Sequence, residues 1–329
     1  MKIGFIGNYQ SGYVGEQADE VHLTRELENL GHEIFRIPRD EWREYVIEEF
    51  PKDKYKNIPE DVIFDILIIC KWHHFYDGSF IEKAKEKYQC PVFYFVWDFM
   101  PNPELPDWHI QMAEAANLYL SGELGIFDQY RALGVKPYYF QMDVCDGEIP
   151  IFDDLEKEYD LVFTGSCIDQ GHRKEWLQEI NKQIPVTIFS WNPEEWHKLG
   201  FQECYPAVYG EEYNQVIAKS KIVLGFNVEP NCFGYWSNRV GKVLRAGGFL
   251  LQEYAPGMET LLPESVKYFS SPEEAVAKIR YYLDHNAHRE IKYNISKKAG
   301  KRFTSKHKVK ALNVLMDRYL KGDPQQWMT

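Results

Sequence analysis

Two stretches of the chain carry residues suited to holding a diphosphate. LVFTGSCIDQGHRKEW, from Leu161 to Trp176, reads as a strand, a loop and a helix start. Amides of Gly165 and Ser166 beside a helix N-terminus point N–H groups at an anion, and Arg173 and Lys174 add cations. In SNRVGKVLRAGGFLLQEYAPG, Ser237 to Gly257, Arg239 and Lys242 stand one turn apart on a helix and lean toward the same mouth. Two cations there stabilise the charge that develops as a bond to a diphosphate breaks. Gly247 and Gly248 follow, a pair that lets backbone approach a ligand closely. Asn227, past KIVLGF, and Trp191, past VTIFS, end strands where they can frame a nucleotide base, although a tryptophan in this position also reads as core. Asp98 ends VFYFVW, while His73 and His74 end ILIICKW, and each type can take a proton from an attacking hydroxyl. The two histidines lack metal-ligand spacing, so no zinc is expected. Gly12 and Gly15 follow the first strand but complete neither a P-loop nor G-x-G-x-x-G.

These residues sit within an alternation of apolar runs and helix-compatible segments, the pattern of parallel sheets covered on both faces. Runs at 2–6, 33–37, 64–70, 92–97, 118–120 and 138–140 form a first set, and runs at 161–164, 186–189, 222–226, 249–251 and 266–269 a second. Leu23, Leu27 and Leu30 mark one helix face, and Val309, Leu312, Met316 and Tyr319 another. Ser271-Pro272-Glu273-Glu274 combines an N-cap serine, proline at the first helical position and a capping-box glutamate. An acidic stretch around Pro150 separates the sets. The expected division is 1–150, 151–305 and a terminal helix over 306–329 packing back toward the first lobe, with ligands at strand carboxyl ends in the cleft between lobes.

The Ser237–Leu251 segment resembles the signature S-x-R-x-F-E-x-L-A-x-G-G-F-L-L of GT-B glycosyltransferases, in the branch that includes the spore-maturation protein CgeB. Ser237, Arg239, Leu244, Gly247, Gly248, Phe249, Leu250 and Leu251 match it. Gly241 replaces the aromatic, Arg245 the alanine, and Lys242 the glutamate that holds ribose. Gly234 stands where the related E-x7-E motif has its first glutamate, so both are missing. The resemblance implies two Rossmann-like lobes: a C-terminal one binding a UDP- or GDP-linked sugar without metal or further cofactor, and an N-terminal one facing the acceptor. It places Arg173 or Lys174 on phosphate, Gly12 near the junction of donor and acceptor, and Glu259 where it can reach ribose in place of the missing glutamate. Lys242 then contacts phosphate or donor sugar, since an ammonium only donates.

Composition narrows the rest. At 329 residues the chain fills two domains, and its net charge of −12 disfavours broad contact with nucleic acid. Six scattered cysteines, no C-x-x-C pair, no signal peptide and no membrane-length apolar run fit a cytoplasmic protein. The expected activity is transfer of a sugar to a glycan, lipid-linked, protein or small-molecule hydroxyl, with a modified DNA base less favoured. The alternatives are a silent nucleotide-sugar-binding module and a sugar-nucleotide epimerase or hydrolase on the same frame.

Overall fold

The computed structural model describes residues 1–7, 9, 19–38, 62–70, 77–101, 104–141, 147–152, 155–169 and 171–322. Two compact units divide the chain: Met1–Met142 with Lys308–Thr329, and Asp143–His307.

Unit 1 contains β1 (Lys2–Gly7), α1 (Asp19–Asn29), β2 (Glu33–Pro38), β3 (Ile66–Cys70), α2 (Gly78–Tyr88), β4 (Val92–Val96), α3 (Asp107–Ala115), β5 (Leu118–Ser121), α4 (Phe127–Ala132) and β6 (Pro137–Tyr139). Its six strands are all parallel, in the order β2-β1-β3-β4-β5-β6. Every residue of β3 and β4 is buried, as expected of apolar runs covered on both faces. Leu23 and Leu27 face that core from α1, whereas Leu30 lies past the helix end and is exposed.

Unit 2 contains β7 (Tyr159–Thr164), α5 (Arg173–Asn181), β8 (Thr187–Ser190), α6 (Pro193–Lys198), β9 (Cys204–Pro206), α7 (Gly210–Ala218), β10 (Ser220–Gly225), α8 (Arg239–Arg245), β11 (Leu250–Glu253), α9 (Met258–Leu261), β12 (Lys267–Phe269), α10 (Pro272–Asp284) and α11 (Asn286–Ala299). The strand order is β12-β11-β10-β7-β8-β9, again all parallel. Alternate residues feed opposite cores: Ile222 and Leu224 join Leu161 and Phe163, while Val223 joins Val240, Val243 and Leu244. Strand β9 has no counterpart in the apolar runs, because it is a short, largely exposed edge strand ending in proline. Helix α10 starts as its sequence specifies, with Ser271 Oγ accepting from Glu274 N–H at 3.2 Å. The glutamate returns a bond to Ser270 N–H at 2.7 Å, one residue earlier than in the usual box.

The last helix, α12 (Ser305–Leu320), ends within unit 1. Lys308 donates to Gln141 O at 2.7 Å, Asn313 bonds the His32 ring at 2.8 Å, and the Tyr319 ring meets Phe93 edge-on at 5.0 Å.

Candidate functional site

In each unit the chain builds one side of the sheet, then returns to build the other, and parallel sheets bind ligands at the carboxyl ends where that reversal falls. In unit 2 the reversal separates β7 from β10. Four polar side chains gather at this edge: Arg173, Arg239, His172 and Glu253.

Arg239 opens α8 and lies over the Phe163 ring, its guanidinium carbon 5.1 Å from the centroid. Gly165 makes this approach possible, because a methyl there would come within 2.6 Å of Arg239 Nη2 and 2.8 Å of Phe163 Cζ. Arg173, the first residue of α5, reaches the same ring at 5.8 Å and donates to the Ser166 carbonyl at 3.2 Å. Burial, and then the charge of Arg239, pushes Arg173 down from the usual arginine value to about 10. Burial also lowers Arg239. Arg173 Nε and Arg239 Nη1 are both buried N–H donors with no acceptor among the described residues. Two cations crowded on one ring with donors left over can take an anion as the missing acceptor, since buried donors are rarely left unpaired.

The glycine-bearing loop contributes differently from the expectation. Gly165 N–H donates to Phe189 O at 2.9 Å, continuing the strand ladder, and Cys167 N–H donates to Asn192 Oδ1 at 3.0 Å. The amide expected from Gly165 is therefore committed to the fold, and what the glycine supplies is room for a guanidinium. Its carbonyl is steadied by Trp196 Nε1–H at 3.3 Å. Ser166 contributes its carbonyl to Arg173.

Gly247 and Gly248 belong elsewhere. Gly247 has φ +77, its N–H bonds Leu244 O at 3.0 Å, and Gly248 N–H bonds Val243 O at 2.9 Å. This bond pair is the Schellman cap of α8, with Gly247 as the left-handed residue. Gly248 packs so tightly on Ile217 and Val243 that an added methyl would lie 2.5 Å from Ile217 Cγ2. The pair precedes β11 and so lies at the amino edge of the sheet, opposite Gly165. A ligand at the carboxyl edge is out of its reach.

Asn227 is fully buried. Its Oδ1 accepts from Ser237 N–H and Gln252 Nε2–H, each at 3.3 Å, and its own N–H donates to Glu253. It ties the loop after β10 to β11 rather than framing a base. Trp191 is half exposed, in contact with the Tyr209 ring at 5.4 Å, and is not a core residue. Lys174 pairs with Asp169 at 3.8 Å. Lys242 is half-buried, one turn into α8 beyond Arg239. Glu259 is exposed and accepts from Tyr254 Oη–H at 3.2 Å.

His172 and Glu253, which belong to no motif in the sequence, form a bonded pair at this same edge. Glu253 ends β11 with 1 % of its surface exposed, accepting from Asn227 N–H at 3.1 Å and His172 Nδ1–H at 2.7 Å. Burial raises its pKa and the histidine bond opposes that rise. The one carboxylate closing the apolar run FLLQE was the available signal.

In unit 1, Asp98 follows β4 and is half-buried. Near it, Glu123 is fully buried after β5, accepting from Tyr130 Oη–H at 2.8 Å and from Met100 N–H. Burial, with the Asp98 charge as a lesser cause, pushes Glu123 up to about 7. Tyr130 continues this network to His109, whose Nε2 lies 3.0 Å from the Tyr130 hydroxyl. Gly12, His73 and His74 lie outside the described residues. Among the described residues no group of three or more His, Cys, Asp or Glu could hold a metal ion, and no helix is long and apolar enough to cross a membrane.

Solved structures share this architecture over nearly the whole chain. Sucrose-phosphate synthase of Thermosynechococcus elongatus matches with a TM-score of 0.66 at 11% identity, covering 98% of this chain and 100% of that one. HepE of Anabaena, solved with UDP and glucose, matches with 0.64 at 10% identity, covering 96% and 99%. The T4 phage glucosyltransferase BGT, solved with UDP-glucose, matches with 0.59 at 12% identity and full coverage of both chains. No curated protein matches this chain. The fold is that of the GT-B glycosyltransferases. More particularly, residues 172–313 match the model of the family described as Glycosyl transferase-like, a broad family and not a mark of the CgeB branch.

Proposed function

We propose that unit 2 binds a uridine-diphosphate sugar by its diphosphate, held between Arg173 and Arg239, and that unit 1 serves the acceptor. The observation that carries this reading is the pair of arginines on Phe163, each with a buried N–H donor that has no acceptor among the described residues. Uridine is favoured because HepE and BGT, which share the fold, were solved with UDP or UDP-glucose. Lys242, further along α8, is the proposed cation toward phosphate or sugar. Protein cations thus meet the charge of the leaving diphosphate without a metal. Asp98, after β4, is the proposed base for the acceptor hydroxyl if transfer inverts the anomeric centre.

Calorimetry with UDP on Arg239→Ala tests the site. A hydrogen bond from a guanidinium to a charged phosphate contributes about 1.5–3 kcal/mol, so affinity should fall about 10- to 150-fold. A folded variant with unchanged affinity removes Arg239 from the site. Wild type that binds UDP-sugars without transferring or hydrolysing them is a silent binding module, which the loss of both motif glutamates would explain.

A further inference from the structure

His172 and Glu253 form a pair that the diphosphate reading leaves unused. A buried carboxylate is costly unless its oxygens are bonded, and Glu253 meets this need with one backbone N–H and one imidazole. The charge of Arg173 reaches it, yet the direct side-chain bond goes to the histidine. That bond makes Nδ1 the protonated nitrogen and fixes the ring's orientation. Trp176, one helical turn on, fixes its plane: the two rings are 4.5 Å apart and 8° from parallel. One face and one nitrogen of His172 are thus held by the protein, while 45 % of the side chain remains exposed. Nε2 is the one polar atom of the ring without a partner among the described residues.

The chemistry of Nε2 selects its ligand. A hydroxyl both donates and accepts, so it pairs with this nitrogen whether or not the nitrogen carries a proton; a phosphate oxygen pairs only with the protonated ring. A sugar hydroxyl near the arginines is therefore the matching group. In a nucleoside diphosphate the ribose is bonded directly to the phosphates, and His172 is bonded directly to Arg173. Lys242, in contrast, offers only donors at the position where the resembled signature carries a carboxylate.

We propose that His172, oriented by Glu253 and Trp176, reads a ribose hydroxyl and makes this site selective for ribonucleoside over deoxyribonucleoside diphosphates. The inference rests on the diphosphate reading above.

The test is calorimetry of wild type and His172→Asn with UDP, 2′-deoxy-UDP, 3′-deoxy-UDP and inorganic pyrophosphate. Asparagine keeps an N–H near the Nδ1 position for Glu253 and removes Nε2. Wild type should bind UDP about three- to tenfold more tightly than at least one deoxy analogue, the range for one neutral hydrogen bond. In His172→Asn that ratio should fall to one. Glu253→Gln should also lower it, by loosening the ring rather than removing it. Because the ratio is taken within one protein, partial unfolding of a variant cancels. A wild-type ratio of one, or an unchanged ratio in His172→Asn, overturns the hydroxyl-reading role while leaving the arginine site standing. Failure of both UDP and pyrophosphate to bind wild type overturns the arginine site and this inference together.

Discussion

Arg173→Met separates stability from ligand binding at the arginine pair. Arg173 is 4 % exposed, and its pKa falls from the usual arginine value to about 10, chiefly through burial and secondly through Arg239. The sign follows from linkage: the unfolded chain holds this proton more tightly, so the folded state carries a penalty. That penalty is fully present below about pH 10 and is relieved only at higher pH, hence undiminished at neutral pH. A lowering of this size corresponds to about 3 kcal/mol. Methionine fills similar space against Phe163 without charge, but forfeits the charged bond to the Ser166 carbonyl, a loss of about 1.5–3 kcal/mol. The ligand-free variant should therefore be more stable than wild type by up to about 1.5 kcal/mol, raising the melting temperature by up to roughly 3–6 °C. UDP should then invert the order, because ligand stabilises by mass action only the protein that binds it: at a hundred times its Kd it adds about 2.7 kcal/mol to wild type and little to the variant. Differential scanning fluorimetry with and without UDP reads both effects. A ligand-free variant that melts below wild type, or one that UDP stabilises as much as wild type, refutes the view of Arg173 as a strained, ligand-directed cation.

Glu123→Gln tests the buried carboxyl of unit 1. With its pKa raised from 4.5 to about 7, Glu123 penalises the folded state fully above pH 7 and not below 4.5, so wild type should lose up to about 3 kcal/mol from this group as pH rises between them. Urea unfolding at pH 5 and pH 8 should show that slope flattened in the variant; an equal slope assigns it elsewhere. Gly247→Ala places a side chain at φ +77 and should cost about 1 kcal/mol of stability without changing UDP affinity, because the residue caps α8 at the amino edge. Weakened UDP binding in a folded Gly247→Ala protein would return the glycine pair to the site. Asp98→Asn should lower the transfer rate about 10²- to 10⁴-fold with little change in melting temperature, and near-normal turnover would remove it as the base.

How much of this site was legible follows from where each signal sits relative to a strand. Buried parallel strands announce themselves as unbroken apolar runs, so VFYFV and ILIIC located the sheet of unit 1, while Cys204–Pro206, an exposed edge with proline, left no such mark. Arg173 and Arg239 were legible as cations at helix starts. Their shared seat on Phe163 was not, because it depends on a residue inside β7 and on the missing Cβ of Gly165. The glycine pair misled for a reason the element order already contained. In a parallel α/β unit every strand-to-helix connection lies at the carboxyl edge and every helix-to-strand connection at the amino edge. Gly247 and Gly248 join a helix to a strand, whereas Gly165, Asn227 and Glu253 leave strands and His172 and Arg239 lie at helix starts. The segment that looks most like a family signature divides in two: its first half, at Arg239, lies at the carboxyl edge, and its glycines shape the far end of the same helix. The carboxylate that the signature would have supplied at position 242 is absent. The buried carboxylate of this edge is instead Glu253, eleven residues on, at the end of the next strand.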